Sequence, residues 1–320
     1  MIQLKSSFKV LIPLAIGIFF IYLTVNTTTS EDRRVIFSYI KDADFRFIIL
    51  SILFGILSHL SRAYRWKFLL TPIGYKPSFI NLVLAVLVGY VANLGIPRSG
   101  EILRATTLST YEKIPFEKSF GTVIAERLVD MILLLGFILL ALGLQFDLIM
   151  EVLKEKELST KIIIALSILI IVFFFILRPI LKNNQSKPII KVKIFFQGLV
   201  EGILSIKSMP KKAAFVFHTL FIWTMYVAMF YVIKWAVPET ESLGLNALLP
   251  AFVIGGLTIS ATNGGIGIYP FSVALMLSAF GISKESGLAF GWIVWSSQTF
   301  MILIFGGLSF FTLPLVNRKN

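Results

Sequence analysis

Six stretches of the sequence are apolar over the length that crosses a bilayer: about residues 8–25, 46–66, 119–144, 161–181, 213–236 and 286–314. A spanning helix needs about 20 mostly apolar residues, and in lipid its backbone must satisfy its own hydrogen bonds. Two more stretches, 79–110 and 247–282, are as apolar but broken in the middle by Gly, Pro and Asn. The first break is NLGIPRSGE and the second is ATNGGIGIYP, from Ala261 to Pro270. Each half is only about ten to sixteen residues long, short for a full crossing. We read both as re-entrant or broken helical hairpins; the alternative is a pair of short tilted helices joined outside the membrane. The chain is 57% hydrophobic and 15% charged, against roughly 25% charged in soluble domains, and its mean hydropathy is +0.86. The expectation is an all-α polytopic membrane protein, one integral membrane domain over residues 1–320 with about six spanning helices and two hairpins.

The absence of cysteine excludes disulfides and thiolate metal sites. His59 and His218 are too far apart in sequence to suggest a metal centre, and no cofactor is expected. Each histidine sits in an apolar helix, where a helix–helix contact is preferred over a proton relay. The run from Val10 to Val25 follows Lys5 and Lys9 and precedes Asn26, Thr27 and Thr28. No small-residue cleavage site follows it, so it is expected to be a retained first helix.

Lys and Arg fix the expected orientation. With the N-terminus inside, 20 of them fall on the inner side, including Arg62, Arg65, Arg98, Arg104 and the run from Arg178 to Lys212. Nine, among them Arg33, Arg34, Lys41 and Lys284, fall outside, and Arg127 lies within a helix. Both termini are then cytoplasmic, in the cytoplasmic membrane. The net charge of +13 becomes mostly an inner-surface charge, which attracts anionic headgroups. Nucleic acid is a poor partner, since no soluble basic domain exists to bind it. The basic stretch 182–212 reads either as an amphipathic interfacial helix or as a solvated loop.

A shift of 168 residues aligns the two broken segments, with Glu101 on Tyr269, Pro97 on Gly265 and Glu117 on Glu285. Both halves then read as helix, hairpin, helix, over about 46–144 and 213–314. An odd number of crossings separates equivalent helices, so the second half is inverted, a recurring transporter plan.

Charge and broken backbone at membrane depth are tolerated only where they are buried in protein or line a wet cavity. Asn93, Arg98, Glu101 and Arg104 are therefore the first candidates for a site. Arginine suits phosphate because its planar fork donates two hydrogen bonds. The alternative is an ion-pair network, Arg98–Glu101–Arg104, that only pins the hairpin. Glu126 and Asp130, at i and i+4, share one helix face with Arg127 close by. They line a polar cavity or cap the inner end of their helix through Arg127 or Arg62 and Arg65. Arg62 and Arg65 either snorkel from their helix end or touch phosphate. In the second half, Asn263, Gly264, Gly265, Gly267 and Tyr269, with Ser296, Ser297 and Gln298, offer neutral polar groups; helix–helix hydrogen bonding is preferred for the two serines.

The strings SRAYRWKFLL (Ser61 to Leu70), NLGIPRSGEILRA (Asn93 to Ala105), AERLVD (Ala125 to Asp130) and NGGIG (Asn263 to Gly267) together resemble the flippase-like transmembrane region of lysylphosphatidylglycerol synthases. The resemblance runs from about residue 10 to 315. It implies movement of a lipid headgroup across the bilayer. The chain stops at Asn320, so the aminoacyl-transferase domain of the bifunctional relatives, and its lipid-modifying activity, are not expected. Those relatives often carry an acidic residue after Gly-Gly-x-Gly; here Ile268, Tyr269, Pro270 and Phe271 take that place. The headgroup therefore stays open between an aminoacylated phosphatidylglycerol, another phospholipid, a glycolipid and a polyprenyl-phosphate carrier. A lipid translocator is the preferred function. The alternatives are a membrane-embedded polyprenyl-phosphate-dependent transferase and a scaffold for cell-envelope assembly, and a homo-oligomer is an open option.

Overall fold

The computed structural model describes residues 29–96, 98–145, 209–262 and 264–318, with Tyr22 and Asn26. The expected span 161–181, nearly all of the expected span 8–25 and of the basic stretch 182–212, Pro97 and Asn263 lie outside the described residues. The described residues form helices joined by short turns. They are α1 (Ser30–Lys41), α2 (Phe45–Leu70), α3 (Phe79–Gly95), α4 (Ser99–Tyr111), α5 (Phe116–Leu144), α6 (Lys212–Tyr231), α7 (Leu245–Ala261), α8 (Ile268–Ser278) and α9 (Lys284–Val316). Four segments, Phe45–Ile73, Phe116–Leu144, Lys212–Trp235 and Lys284–Val316, are long and apolar enough to cross a membrane. They coincide with four of the six expected spans. This is a polytopic, multi-pass membrane protein. Its exposed apolar side chains, such as Ile132, Leu135 and Leu139 on α5 and Phe300 and Phe311 on α9, suit a lipid solvent and would be a liability in water.

The order helix, hairpin, helix occurs twice: α2, α3–α4, α5, and then α6, α7–α8, α9. Main packing contacts recur in pairs under exchange of the halves. The arms of each hairpin pack together, and each second arm packs on the helix that comes after it. The first arm α3 lies on α9, and its counterpart α7 lies on α5. The two first helices, α2 and α6, pack directly on each other. Ser51 on α2 donates to the carbonyl of Met229 at 2.7 Å, and Ser61 meets His218 at 2.8 Å across this contact.

Both breaks have local causes. Helix α3 stops because Ile96 precedes Pro97 and is held extended, at φ −125°. Arg98 then takes a left-handed φ of 61°, and α4 starts. The hairpin can close because Gly100 lacks a Cβ, which would run into the carbonyl oxygen of Gly89. At the second break, Gly264, Gly265 and Gly267 all have left-handed φ, between 63° and 77°. This reversal is open to glycine at little cost. Inside α7, Pro250 cannot donate to the carbonyl of Asn246. The side chain of Gln145, at the end of α5, donates to that oxygen instead at 2.6 Å.

Two apolar cores flank the polar groups. One joins α2, α3 and α5 through Trp66, Leu69, Leu82, Val86 and Val123. The other joins α6, α7, α8 and α9 through Phe230, Leu248, Val273 and Phe290. The base of each hairpin is tied by a carboxylate. Glu112 accepts from the Ser78 backbone at 2.9 Å and the Asn81 side chain at 2.6 Å. Glu239 accepts from the backbone N–H and the hydroxyl of Ser283, the N-cap of α9. Partial burial pushes the Glu239 carboxyl up, but the Ser283 hydrogen bonds outweigh it and hold it below the ordinary glutamate range.

Helix α1 carries Arg33, Arg34 and Lys41, which the charge distribution places on the outer side. It forms because Thr29 caps it, accepting from Asp32 N at 3.1 Å while Asp32 accepts from Thr29 N at 2.7 Å. This is a reciprocal capping box. Ile36 is buried in the second core, and the helix packs on α9.

Candidate functional site

Arg62 and Arg65, one turn apart on α2, face α5. There Asp130 accepts from Arg62 Nη1 at 2.7 Å through one oxygen and from Arg65 Nη1 at 2.8 Å through the other. Glu126, a turn before Asp130, accepts from Arg65 Nη2 at 2.9 Å and, through its second oxygen, from Arg104 Nη2 at 2.6 Å. Arg62 also lies 3.5 Å from Glu126. These five side chains are between 0% and 10% exposed. Asp130 is the middle residue of α5, about 21 Å of helix from either end. The cluster therefore sits half-way along α5.

Neighbouring groups hold the guanidinium planes. Arg104 lies over the Trp66 ring, 4.2 Å from its centroid, a close cation–π contact. Trp66 in turn donates to Thr122 at 2.8 Å. The stem of Arg104 runs past Gly89, where a Cβ would come within 2.8 Å of it. Arg65 donates to Thr219 at 3.1 Å, and Arg62 to the Tyr226 hydroxyl at 3.2 Å. Tyr226 and Tyr90 share a hydrogen bond of 2.9 Å, and Tyr90 packs against His59 with ring centroids 4.3 Å apart. Helix α6, from the second half, thus completes a site whose charges come from the first.

The structure redistributes the expected site residues. Arg62, Arg65, Arg104, Glu126 and Asp130 converge. Arg62 and Arg65 do not snorkel: they are 2% and 0% exposed, because two carboxylates at the same depth receive them. The expected alternative network Arg98–Glu101–Arg104 does not form. Arg104 turns to Glu126, and Glu101 pairs instead with Arg127 at 2.7 Å in a partly exposed bridge. Arg98 is exposed at the hairpin tip and makes no ion pair among the described residues. Asn93 serves the turn, accepting from Gly100 N at 2.7 Å. In the second half, Gly264, Gly265, Gly267 and Tyr269 build the other tip and stay apart from the cluster. Gly264 accepts from Trp295 at 2.7 Å, and Tyr269 is buried in the second core. The two tips meet where Leu94 lies against Gly264. Ser296 and Ser297 bond to carbonyls of their own helix and not to neighbours, whereas Gln298 donates to Ser51 of α2 at 3.0 Å.

Trp66, Gly89, Tyr90, Thr219 and Tyr226 carry no singular sequence signal. Trp66 alone is suggested, by its i+4 spacing from Arg62 on a helix.

Most of the chain matches a known sequence family. Residues 10–306 match the profile of the lysylphosphatidylglycerol synthase TM region. The chain belongs to this family. It is 26% identical over 269 residues to a UPF0104 membrane protein of Methanocaldococcus jannaschii, covering 76% of this chain and 77% of that one. It is 35% identical over 108 residues to a UPF0104 membrane protein of Pyrococcus horikoshii, 31% of each chain. It is also 26% identical over 106 residues to the glycosyltransferase AglD of Haloferax volcanii, 33% of this chain but 17% of that protein. No solved structure matches the chain.

Proposed function

We propose that this protein is a lipid translocator of the cytoplasmic membrane, moving a phosphate-bearing lipid headgroup between leaflets, with no catalytic chemistry and no cofactor of its own. The observation that carries the reading is the buried cluster of Arg62, Arg65 and Arg104 with Glu126 and Asp130 at half the depth of α5. A headgroup crosses hydrocarbon slowly because its charge must be desolvated. Guanidinium groups fixed at that depth replace the lost water with forked hydrogen bonds to phosphate. Ionisable groups inside the membrane are costly and mark substrate paths more often than they serve stability.

In this reading residues 1–320 act as one unit of two inverted repeats, about 46–144 and 213–314, with both termini cytoplasmic. Anionic membrane lipids are its partners. Arg98, exposed at the first tip, and the Glu101–Arg127 bridge meet the headgroup on the tip side of the cluster. Arg104 on the same helix, about 9 Å of rise from Arg98, passes it to the cluster. The contact of Leu94 with Gly264 joins this charged hairpin to the uncharged one that opens outward.

The transferase alternative needs carboxylates free to hold a metal. All four oxygens of Glu126 and Asp130 accept from guanidinium groups, which favours the ion-pair reading. The likeness to AglD covers too little of that protein to shift the balance.

The test is reconstitution into liposomes with fluorescent phosphatidylglycerol in both leaflets and an impermeant quencher outside. The parent protein is expected to expose the inner-leaflet pool. Arg98→Ala and Glu101→Ala, which leave the buried cluster intact, are expected to slow this about tenfold or more, in line with loss of a charged contact, at unchanged folded yield. Equal rates in both variants sink the entry assignment. A parent that moves no lipid sinks the translocator.

A further inference from the structure

The charges at the heart of the protein do not balance. Arg62, Arg65, Arg104 and Arg127 are paired with Glu101, Glu126 and Asp130, so four guanidinium ions meet three carboxylates. Glu101 and Arg127 neutralise each other in a bridge that is 18% and 40% exposed. The excess therefore belongs to the buried set, in which three arginines share two carboxylates. Among the described residues no third carboxylate reaches Arg62, Arg65 or Arg104 within ion-pair distance. Protonation offers no escape, because arginine keeps its proton in proteins and protonating either acid would enlarge the excess. Arg98 is outside this account, exposed at the hairpin tip.

A second observation points the same way. The Nε–H groups of Arg62, Arg65 and Arg104 are buried with no hydrogen-bond acceptor. Buried donors are seldom left unpaired, and each such orphan is costly. Within the buried set the acceptors are all engaged, by contrast: both oxygens of Glu126 and both of Asp130 already accept from arginine, and the orphaned acceptor nearby, Glu101 Oε2, belongs to the bridge with Arg127. The site has spare donors, one spare positive charge and no spare negative one.

We propose that this cluster selects a singly charged phosphodiester headgroup over a phosphomonoester and over a zwitterion. One negative charge balances the buried set, and its oxygens supply acceptors for the orphaned donors. A phosphomonoester carries about 1.5 to 2 negative charges at neutral pH and overshoots the balance. A zwitterion brings an ammonium group to a place with no free carboxylate. The proposal rests on the translocator reading for the lipid nature of the ligand and goes beyond it in naming the headgroup class.

The test measures binding separately from movement. The full chain is placed in phosphatidylcholine nanodiscs doped equally with phosphatidylglycerol and phosphatidic acid, and retained lipid is counted by native mass spectrometry. Phosphatidylglycerol is expected to be retained about tenfold or more over phosphatidic acid, since an unbalanced buried charge is heavily penalised. Attraction to the basic inner surface alone would favour the more highly charged phosphatidic acid. Arg104→Gln brings the buried set to balance and is expected to abolish the preference. Equal or preferred retention of phosphatidic acid or phosphatidylcholine by the parent overturns the proposal, whether or not the variant folds. Soluble glycerophosphoglycerol, added as competitor, distinguishes the sources: displacement of the lipid means the phosphodiester alone is recognised, and none means the chains are needed; either supports the charge selection. If phosphatidylglycerol is retained selectively but no lipid moves in liposomes, the selectivity stands and the translocator reading falls.

Discussion

The two hairpins are built on one plan and filled with different chemistry. In the first, α3–α4 closes where Gly100 meets the Gly89 carbonyl, and it carries Arg98, Glu101 and Arg104 into or above the ion cluster. In the second, α7–α8 turns on Gly264, Gly265 and Gly267, and α8 then opens with Tyr269 and Pro270, both buried, the Tyr269 ring within the second apolar core. Both are closed by small residues, so charge is not what makes either hairpin. Charge appears in one half and is received by α2, α5 and α6. The scaffold and the site are thus separable: the fold needs two hairpins, and the proposed chemistry needs the charges of one.

The sharpest way to break this view is to unbalance the first hairpin's partner. Glu126→Ala leaves Arg65 and Arg104 without their shared carboxylate. Breaking a buried pair from one side costs about 3–5 kcal/mol, seen as a large drop in unfolding temperature in detergent or loss of folded protein. A loss below about 1 kcal/mol would mean that the cluster is wet and well solvated.

Next comes the test that the scaffold is shared. Gly100→Ala drives a methyl into the Gly89 carbonyl, and Gly291→Ala places one 2.6 Å from Pro270 Cα in the second half. Overpacking costs about 1–3 kcal/mol, and the two losses are expected to be similar. If only Gly100→Ala destabilises, the halves do not share a packing rule.

Trp66→Phe keeps a ring under Arg104 but removes the hydrogen bond to Thr122. It is expected to cost about 1 kcal/mol and to slow lipid movement more than it lowers stability. An unchanged transport rate would make Trp66 a packing residue only.

The smallest effect belongs to Glu239→Gln at the base of the second hairpin, about 1 kcal/mol or less. The native carboxyl is held below its ordinary value of 4.5. A group whose folded value is lowered contributes stability that is present above the unfolded value and is lost as pH falls through the folded one. The gap between parent and variant should therefore close on acidification below about pH 4; a gap that widens there would assign the hydrogen bonds to the neutral acid.

Much of the architecture was legible because hydropathy and breaker residues act locally. The apolar runs place Phe45–Leu70, Phe116–Leu144 and Lys284–Val316 within a few residues, and Pro97 and the Asn263–Gly267 glycines mark both turns. Helix α1 was not read, because its capping residue Thr29 pairs with an Asp, not the Glu or Gln of the usual box, in a charged stretch that resembles a loop. Within the site, Arg62, Arg65, Arg104, Glu126 and Asp130 stood out as charges in apolar surroundings. Their partners did not.

By itself the sequence determined that this chain lives in lipid, where the helices run, where two of them break, and which ionisable groups lie at depth. Each of these rests on interactions within a few residues: burial of apolar runs, the restriction before proline, and the left-handed backbone open to glycine. Only the tertiary structure decided that Arg104 crosses to Glu126 and not to Glu101, that Arg62 and Arg65 turn inward, and that Tyr226 from the other half reaches Arg62. Those choices depend on which helix faces which, set by packing of glycines, aromatics and carbonyls far apart in the chain. A buried charge then takes whichever partner that packing brings within reach.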